Sequence, residues 1–89
     1  MSPPPAQSPV RLNSLAPGAI GVVVRVDADG GIGRRLLDLG FLPETEIRVI
    51  RRAPLGDPVS YELRGFRICL RHAEAGRIWI RAAAPGPDA

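Results

Sequence analysis

The sequence predicts a small, mainly β domain: a partly open barrel of about five short strands, with one short inserted α-helix and a helical turn before the last strand. Three observations lead there. Apolar and polar residues alternate with period two in several short runs, which is the pattern of half-buried strands. Clusters of glycine, proline and aspartate separate the runs, drawn from 10 Gly and 10 Pro in 89 residues. Helical spacing is confined to one stretch ending at Gly40 and one short turn ending at Gly76.

At the N-terminus, residues 1–10 hold Pro3, Pro4, Pro5 and Pro9 between Ser2, Gln7 and Ser8. So little apolar surface cannot offset the entropy of ordering a chain, and a disordered tail is expected. Residues 84–89 read the same way, which leaves 11–83 as one domain. Leu12, Leu15 and the Pro17–Gly18 pair suggest a lead-in and a turn. The first strand is expected over 19–27, with Ile20, Val22, Val24 and Val26 on one face and Gly21, Val23, Arg25 and Asp27 on the other. Gly30, Gly31 and Gly33 then mark a flexible connector; no Gly-Lys-Ser/Thr follows them, so they are not a phosphate loop.

Residues 34–57 are the most informative stretch. Ile32, Leu36 and Leu39 fall at helical spacing, so a helix over about 33–39 is expected to pack that stripe on the sheet. Arg34 and Asp38 stand four apart on its outer face, the spacing of a helical ion pair. Gly40 sits where a helix C-terminus needs a residue free to take positive φ, and Pro43 prevents continuation. A second strand is expected over 45–52, where Ile47 and Val49 alternate with Glu46 and Arg48 ahead of Arg51 and Arg52. Residues 53–58, Ala-Pro-Leu-Gly-Asp-Pro, close this unit as a turn, with the Asp57 side chain placed to accept a backbone N–H two residues on. A third strand over 59–64 has Val59, Tyr61 and Leu63 inward, Gly65 turns the chain, and a fourth over 66–71 has Phe66, Ile68 and Leu70 inward. Residues 72–76 read as a single helical turn, and a fifth strand over 77–81 has Ile78 and Ile80 inward.

Composition excludes several function classes. Cys69 is the single cysteine and His72 the single histidine, so neither an intramolecular disulfide nor a cysteine-based zinc cage is available. Cys69 reads as a small strand residue, and no metal site or cofactor is expected within one chain. No serine, histidine and acid set is arranged for nucleophilic catalysis, and Asp57, Glu62 and Glu74 lie in different elements, so the chain does not read as an enzyme. All 12 basic residues are arginine, against 9 acidic ones. A net charge of +3 with only Phe41, Phe66, Tyr61 and Trp79 as aromatics is too little for a nucleic-acid surface. No run approaches the ~20 apolar residues of a membrane span. The proline-rich start is not a signal peptide, so a cytoplasmic location without membrane insertion is expected.

RLLDLGFLPETEIRVIRRAPLGDPVSYELRGFRICLRHAEAGRI, with LNSLAPGAIGVVVRV upstream, resembles the FeoA family, small accessory proteins of bacterial ferrous iron uptake. The resemblance spans residues 12–80, and its most specific parts are RRLLDLG, APLGDP and LRHAEA at 70–75. It implies an SH3-like barrel, a choice that periodicity alone leaves open against other small barrels. It also implies a partner, the FeoB transporter, met through its cytosolic G domain or its membrane part. One departure stands out: the family has Pro-Gly where this chain has Pro43–Glu44, and a turn needing positive φ there would strain a glutamate.

With no chemistry of its own, such a chain works through its surface. Trp79 alternates away from Ile78 and Ile80, beside Arg77 and Arg81, and two readings stand: an exposed interface indole, or one covered by the helix or a tail. Leu55, near Arg51 and between Pro54 and Pro58, is expected to tuck over the barrel mouth; left outside, its rigid turn would dock at little entropic cost. Arg34, Arg35 and Leu37 form a third candidate on the helix, with Leu37 off the apolar stripe. Arg34, Arg35 and Arg51 are also the candidates for an arginine directed at a bound nucleotide of the partner. Two alternatives remain open. One is a free-standing metal-sensing domain like the C-terminal domain of iron-dependent repressors, and the other is a general SH3-like peptide-binding module.

Overall fold

A computed structural model describes residues 8–27 and 29–83. The tails expected over 1–10 and 84–89 therefore fall mostly outside the described residues, with one difference at the boundary. Val10, placed in the tail by the sequence, begins the first strand, β1 (Val10–Arg11), and pairs with Ile80. A 3₁₀ turn (Leu12–Ser14) follows, then β2 (Ile20–Val26), α1 (Gly30–Leu39), β3 (Glu46–Arg52), β4 (Val59–Leu63), β5 (Phe66–Leu70), α2 (His72–Ala75) and β6 (Ile78–Ala82). Six antiparallel strands, rather than about five, form an open sheet in the order β1-β6-β2-β3-β4-β5.

The buried face is where the alternating runs meet. Ile47 and Val49 of β3, Val59, Tyr61 and Leu63 of β4, and Ile78 and Ile80 of β6 point inward as expected, joined by Leu12, Leu36, Phe41 and Leu70. In β2 the expected alternation fails. Gly21 and Val23 are the buried pair, and the register with β6 slips between Val23 and Arg25. Val24 is the extra residue of a β-bulge, and a bulge inverts the facing of everything beyond it. Arg25 is thereby turned outward opposite Trp79, and Val26 inward opposite Ile78. β3 carries a second bulge between Val49 and Arg51, which places Arg51 opposite Ser60 rather than in line with Ile47 and Val49.

Helix α1 starts three residues earlier than the glycine spacing suggests, and its apolar stripe differs. Residues 29–32 are all exposed, Ile32 at 44 %, because burial begins only at Gly33; the first turn lies beyond the sheet. The helix is held through Leu36, fully buried, and Leu39, which packs on the core from its edge. Its end follows expectation. Gly40 takes φ 113°, its N–H reaching Leu37 O, while Phe41 N–H donates to Leu36 O at 3.2 Å. This is a Schellman closure, with buried Phe41 against Leu36 as its apolar contact. The Arg34–Asp38 pair does not form; the three ion pairs among the described residues are Arg25–Asp27, Arg35–Glu74 and Arg81–Glu44. Phe66 keeps the inner face, opposite buried Leu63, but is not buried: at the tip of edge strand β5 it is 47 % exposed, with no strand beyond to cover it.

Two turns share one chemistry with different residues. Ala16-Pro17-Gly18-Ala19 closes with Ala19 N–H on Ala16 O at 3.0 Å, and Gly18 has φ 90°. Leu42-Pro43-Glu44-Thr45 closes with Thr45 N–H on Leu42 O at 3.1 Å, and Glu44 has φ 71°. Proline second and positive φ third is the type II arrangement that favours glycine third. Glu44 is held there from outside: its N–H donates to Val23 O at 2.8 Å, Val23 N–H donates to Thr45 O at 2.9 Å, and its carboxylate lies 3.6 Å from Arg81.

Glu44→Gly removes the left-handed penalty of about 1–2 kcal/mol but frees the unfolded chain by about 0.4–1 kcal/mol. A net stabilisation of roughly 0.5 kcal/mol is expected, read as a higher denaturant midpoint at unchanged m-value; a lower midpoint would show that the Arg81 contact outweighs the backbone. Tyr61 generates a second prediction. Burial pushes its phenol up to about 12, helped by the Asp57 charge and opposed by Arg52. A raised phenol contributes stability that is complete below its ordinary value of 10.0 and is lost as pH rises towards about 12. The protein should therefore lose about 2–3 kcal/mol over that alkaline window, and Tyr61→Phe should flatten the loss. Denaturant titrations across the window, alongside phenolate absorbance, measure both.

Candidate partner interface

Trp79 sits on the outer face of the sheet in a cage built by its neighbouring strands. Register places Arg11 of β1 on one side of it and Arg25 of β2 on the other. Both guanidinium carbons lie over the indole, at 4.8 Å and 4.7 Å from its centroid. The indole N–H donates to Asp27 Oδ2 at 3.3 Å, and Arg25 donates to Asp27 Oδ1 at 2.6 Å. Hydrogen bonding from Trp79, reinforced by Arg25, holds the Asp27 carboxyl below its usual range. Arg77, expected beside the indole, instead donates to the carbonyl of Asp29 at 2.9 Å. Arg81, also expected there, pairs with Glu44. Of the two readings of Trp79, neither stands alone: it is half-buried, and arginines rather than the helix cover it.

A second cluster joins the 53–58 turn to both helices. Gly56 N–H donates to Ala53 O at 2.7 Å and Ala53 N–H to Pro58 O at 3.0 Å, so the turn is closed twice. The Asp57 carboxylate accepts not from its own turn but from His72 N–H, at 2.8 Å, at the start of α2. A carboxylate there meets an N–H that the helix leaves unsatisfied. From α2, Glu74 accepts from Arg71 N–H and from the Arg35 guanidinium, each at 2.9 Å. The tip of the turn does not tuck over the barrel mouth: Leu55, next to Gly56 at φ 91°, is 96 % exposed.

The sequence-derived candidates are thus distributed over three places. Leu55 and Arg35 belong to elements anchored on α2, with Arg35 engaged by Glu74. Leu37 is half-buried, while Arg34 and Arg51 are exposed and make no ion pair among the described residues. Trp79 stands apart in its cage. Arg11, Arg25 and Asp27 were missed from the sequence, because their convergence on Trp79 depends on β1–β6–β2 pairing and on the bulge. Among the described residues no group of three or more His, Cys, Asp or Glu is placed to hold a metal ion, and no helix is long and apolar enough to cross a membrane.

Comparison with known proteins agrees with this architecture. Residues 10–82 match the FeoA domain. Over 71 residues, 80 % of the chain, it is 38 % identical to an Fe(2+) transport protein A/Fe(2+) transporter FeoB fusion protein of Porphyromonas gingivalis, and it spans 8 % of that protein's length. The FeoA-like protein of Clostridium acetobutylicum superposes with a TM-score of 0.81 at 29 % identity, covering 85 % of this chain and 88 % of that one. The zinc-complexed FeoA of Stenotrophomonas maltophilia, a prokaryotic SH3 domain protein, gives 0.73 at 32 % identity over 80 % and 88 %. A manganese-dependent transcriptional repressor complexed with manganese gives 0.76 at 25 % identity, covering 91 % of this chain and 38 % of that one.

The cage is expected to titrate in acid. With a lowered folded value, the Asp27 contribution is complete above the ordinary 3.8 and is lost as pH falls through the lower folded value. Emission of Trp79, the single tryptophan, should shift to the red in that acid window while the far-ultraviolet dichroism is still native. Arg25→Ala should produce the same shift at neutral pH and cost about 0.5–1 kcal/mol, the worth of an exposed cation–π contact. Unchanged emission in Arg25→Ala would mean the guanidinium does not cover the indole in solution.

Proposed function

The chain belongs to the FeoA family, a family of small SH3-like accessory domains rather than enzymes, and on that premise we propose that it is a cytoplasmic regulator that binds a FeoB-type ferrous iron transporter. The fusion protein of Porphyromonas gingivalis carries this reading, since a domain 38 % identical to this chain is there joined covalently to a transporter. Tethering raises effective concentration and replaces an association that separate chains must make through an interface. The surface that fits best is the 53–58 turn with Arg51 of the adjoining strand and with Arg35, which is tied to the same helix α2 through Glu74. Leu55 projects from a turn already fixed by its own hydrogen bonds and by Asp57 on α2, so docking it orders little that is not ordered. Trp79 and its arginines provide the second contact, with an aromatic and guanidinium composition common among interface hot spots.

The test is calorimetric titration of the chain against the cytosolic G domain of its FeoB, with and without a GTP analogue. Nucleotide-dependent binding would make the chain a reader of the transporter's switch, and nucleotide-independent binding an assembly factor. Leu55→Ala should weaken binding about tenfold or more without changing stability, because the side chain packs on nothing. Equal binding by Leu55→Ala and Trp79→Ala would remove both surfaces from the interface.

The likeness to the manganese-complexed repressor supports a second reading, a free-standing metal-sensing domain. A thermal shift on adding manganese or ferrous iron, retained in the absence of any FeoB fragment, would favour it over the first.

A further inference from the structure

The sheet is open along β5. In the order β1-β6-β2-β3-β4-β5 this strand has a neighbour on one side only. The β4–β5 hairpin turns on Arg64 and Gly65, at φ 53° and 87°, the two consecutive positive values of a type I′ turn. In such a hairpin the pair flanking the turn exchanges both backbone hydrogen bonds, and every second pair after it does the same. Register makes these pairs Leu63↔Phe66, Tyr61↔Ile68 and Val59↔Leu70. Phe66, Ile68 and Leu70 therefore bond to β4, while Arg67 and Cys69 aim their N–H and C=O groups away from the sheet. No turn, loop or side-chain group among the described residues bonds to the main chain of either. Arg71 ends the free stretch, its N–H being taken by Glu74 at 2.9 Å.

The side chains around this margin state what it would accept. Phe66, 47 % exposed, and Ile68, half-buried, carry the inner face of the sheet out to its edge, where nothing covers them. Arg64, Arg67 and Arg71 are exposed along the same margin, and none takes part in an ion pair among the described residues. Glu62 stands opposite Arg67 across the hairpin and is the one acid facing it in register. We propose that the β5 edge is a docking site for an extended, acidic segment of a partner protein, which adds to the sheet as a further strand. Main-chain bonds to Arg67 and Cys69 would supply pairing. Acidic residues of the segment would meet the arginines, and apolar residues alternating with them would cover Phe66 and Ile68. A second copy of this chain is the wrong occupant, because pairing two β5 edges would set one margin carrying Arg64, Arg67 and Arg71 against another of the same charge. This inference rests on β5 alone and holds whatever the Leu55 turn binds.

The probe is a synthetic peptide of alternating glutamate and valine, titrated into the isotope-labelled full chain at low salt and followed by amide resonances and hydrogen exchange. Two controls accompany it: the same peptide with lysine for glutamate, and one with proline at alternate positions, which keeps the charge but cannot pair. At saturation the Arg67 and Cys69 amides should exchange about tenfold more slowly, whereas the controls leave them unchanged. Arg67→Glu, an exposed change that leaves the fold intact, should weaken the glutamate peptide about tenfold, and added salt should weaken it further. Unchanged exchange at these amides would overturn the proposal, as would equal effects from the proline peptide, which would reduce the margin to a charge patch. Protection that rises with protein concentration in the absence of peptide would overturn it in favour of self-pairing.

Discussion

The rest of the structure depends on one extra residue in β2. Without the bulge at Val24, strict alternation would carry Arg25 to the buried face occupied by Gly21 and Val23. An unpaired guanidinium there would be costly enough to reverse the strand or unfold it. The bulge resolves this and does more. It puts Val26 opposite Ile78, continuing the core, and Arg25 opposite Trp79, completing the cage on the outside. The second bulge, at Ile50, does the same for β3, keeping Arg51 out of line with Ile47 and Val49. Bulges also add local twist, which a sheet of six short strands needs in order to curl around so small a core. Arg25 and Arg51 thus each follow directly on a bulge that keeps them off the buried face.

This explains which parts of the fold were legible in the sequence. Strands without a slip were read with the correct face: Val59, Tyr61 and Leu63, then Ile78 and Ile80. Turns set by local chemistry were equally plain, since Gly40, Gly65 and the 53–58 segment act through φ and proline geometry. What escaped were features set by distant partners. A bulge leaves the composition of a strand unchanged, so the pattern of β2 predicts a regular strand. Ile32 and Phe66 have the right spacing for the core but lie past the end of what could cover them. β1 is two residues long and exists because β6 offers it an edge.

The candidate sites divide in the same way. That Trp79 faces outward followed from alternation, yet its companions did not: Arg77 and Arg81 precede and follow it two places away in the chain, but cross-strand Arg11 and Arg25 are the ones over the ring. For Leu55 the composition of the turn was informative and its direction was not. Turn chemistry predicts that Asp57 satisfies its own turn; by reaching His72 instead, it welds that turn to α2 and leaves Leu55 at a fixed tip.

Glu44 ties the turn before β3 to both β2 and β6. Its peptide lies between β2 and β3, hydrogen-bonded to Val23 one residue before the bulge, so its backbone conformation is imposed by sheet pairing and not chosen by the side chain. That is how a glutamate comes to occupy a left-handed position that Gly18 fills without strain in the matching turn. Having been placed there, its carboxylate points along the sheet to Arg81 of β6, two residues from Trp79. The pair is exposed and worth little by itself. Its consequence is positional: with Arg81 drawn to Glu44 and Arg77 to the Asp29 carbonyl, both arginines that flank Trp79 in the chain are engaged elsewhere than on the indole. The face of Trp79 is left to Arg11 and Arg25, which approach from the strands on either side, where the pairing of β6 with β1 and β2 sets them.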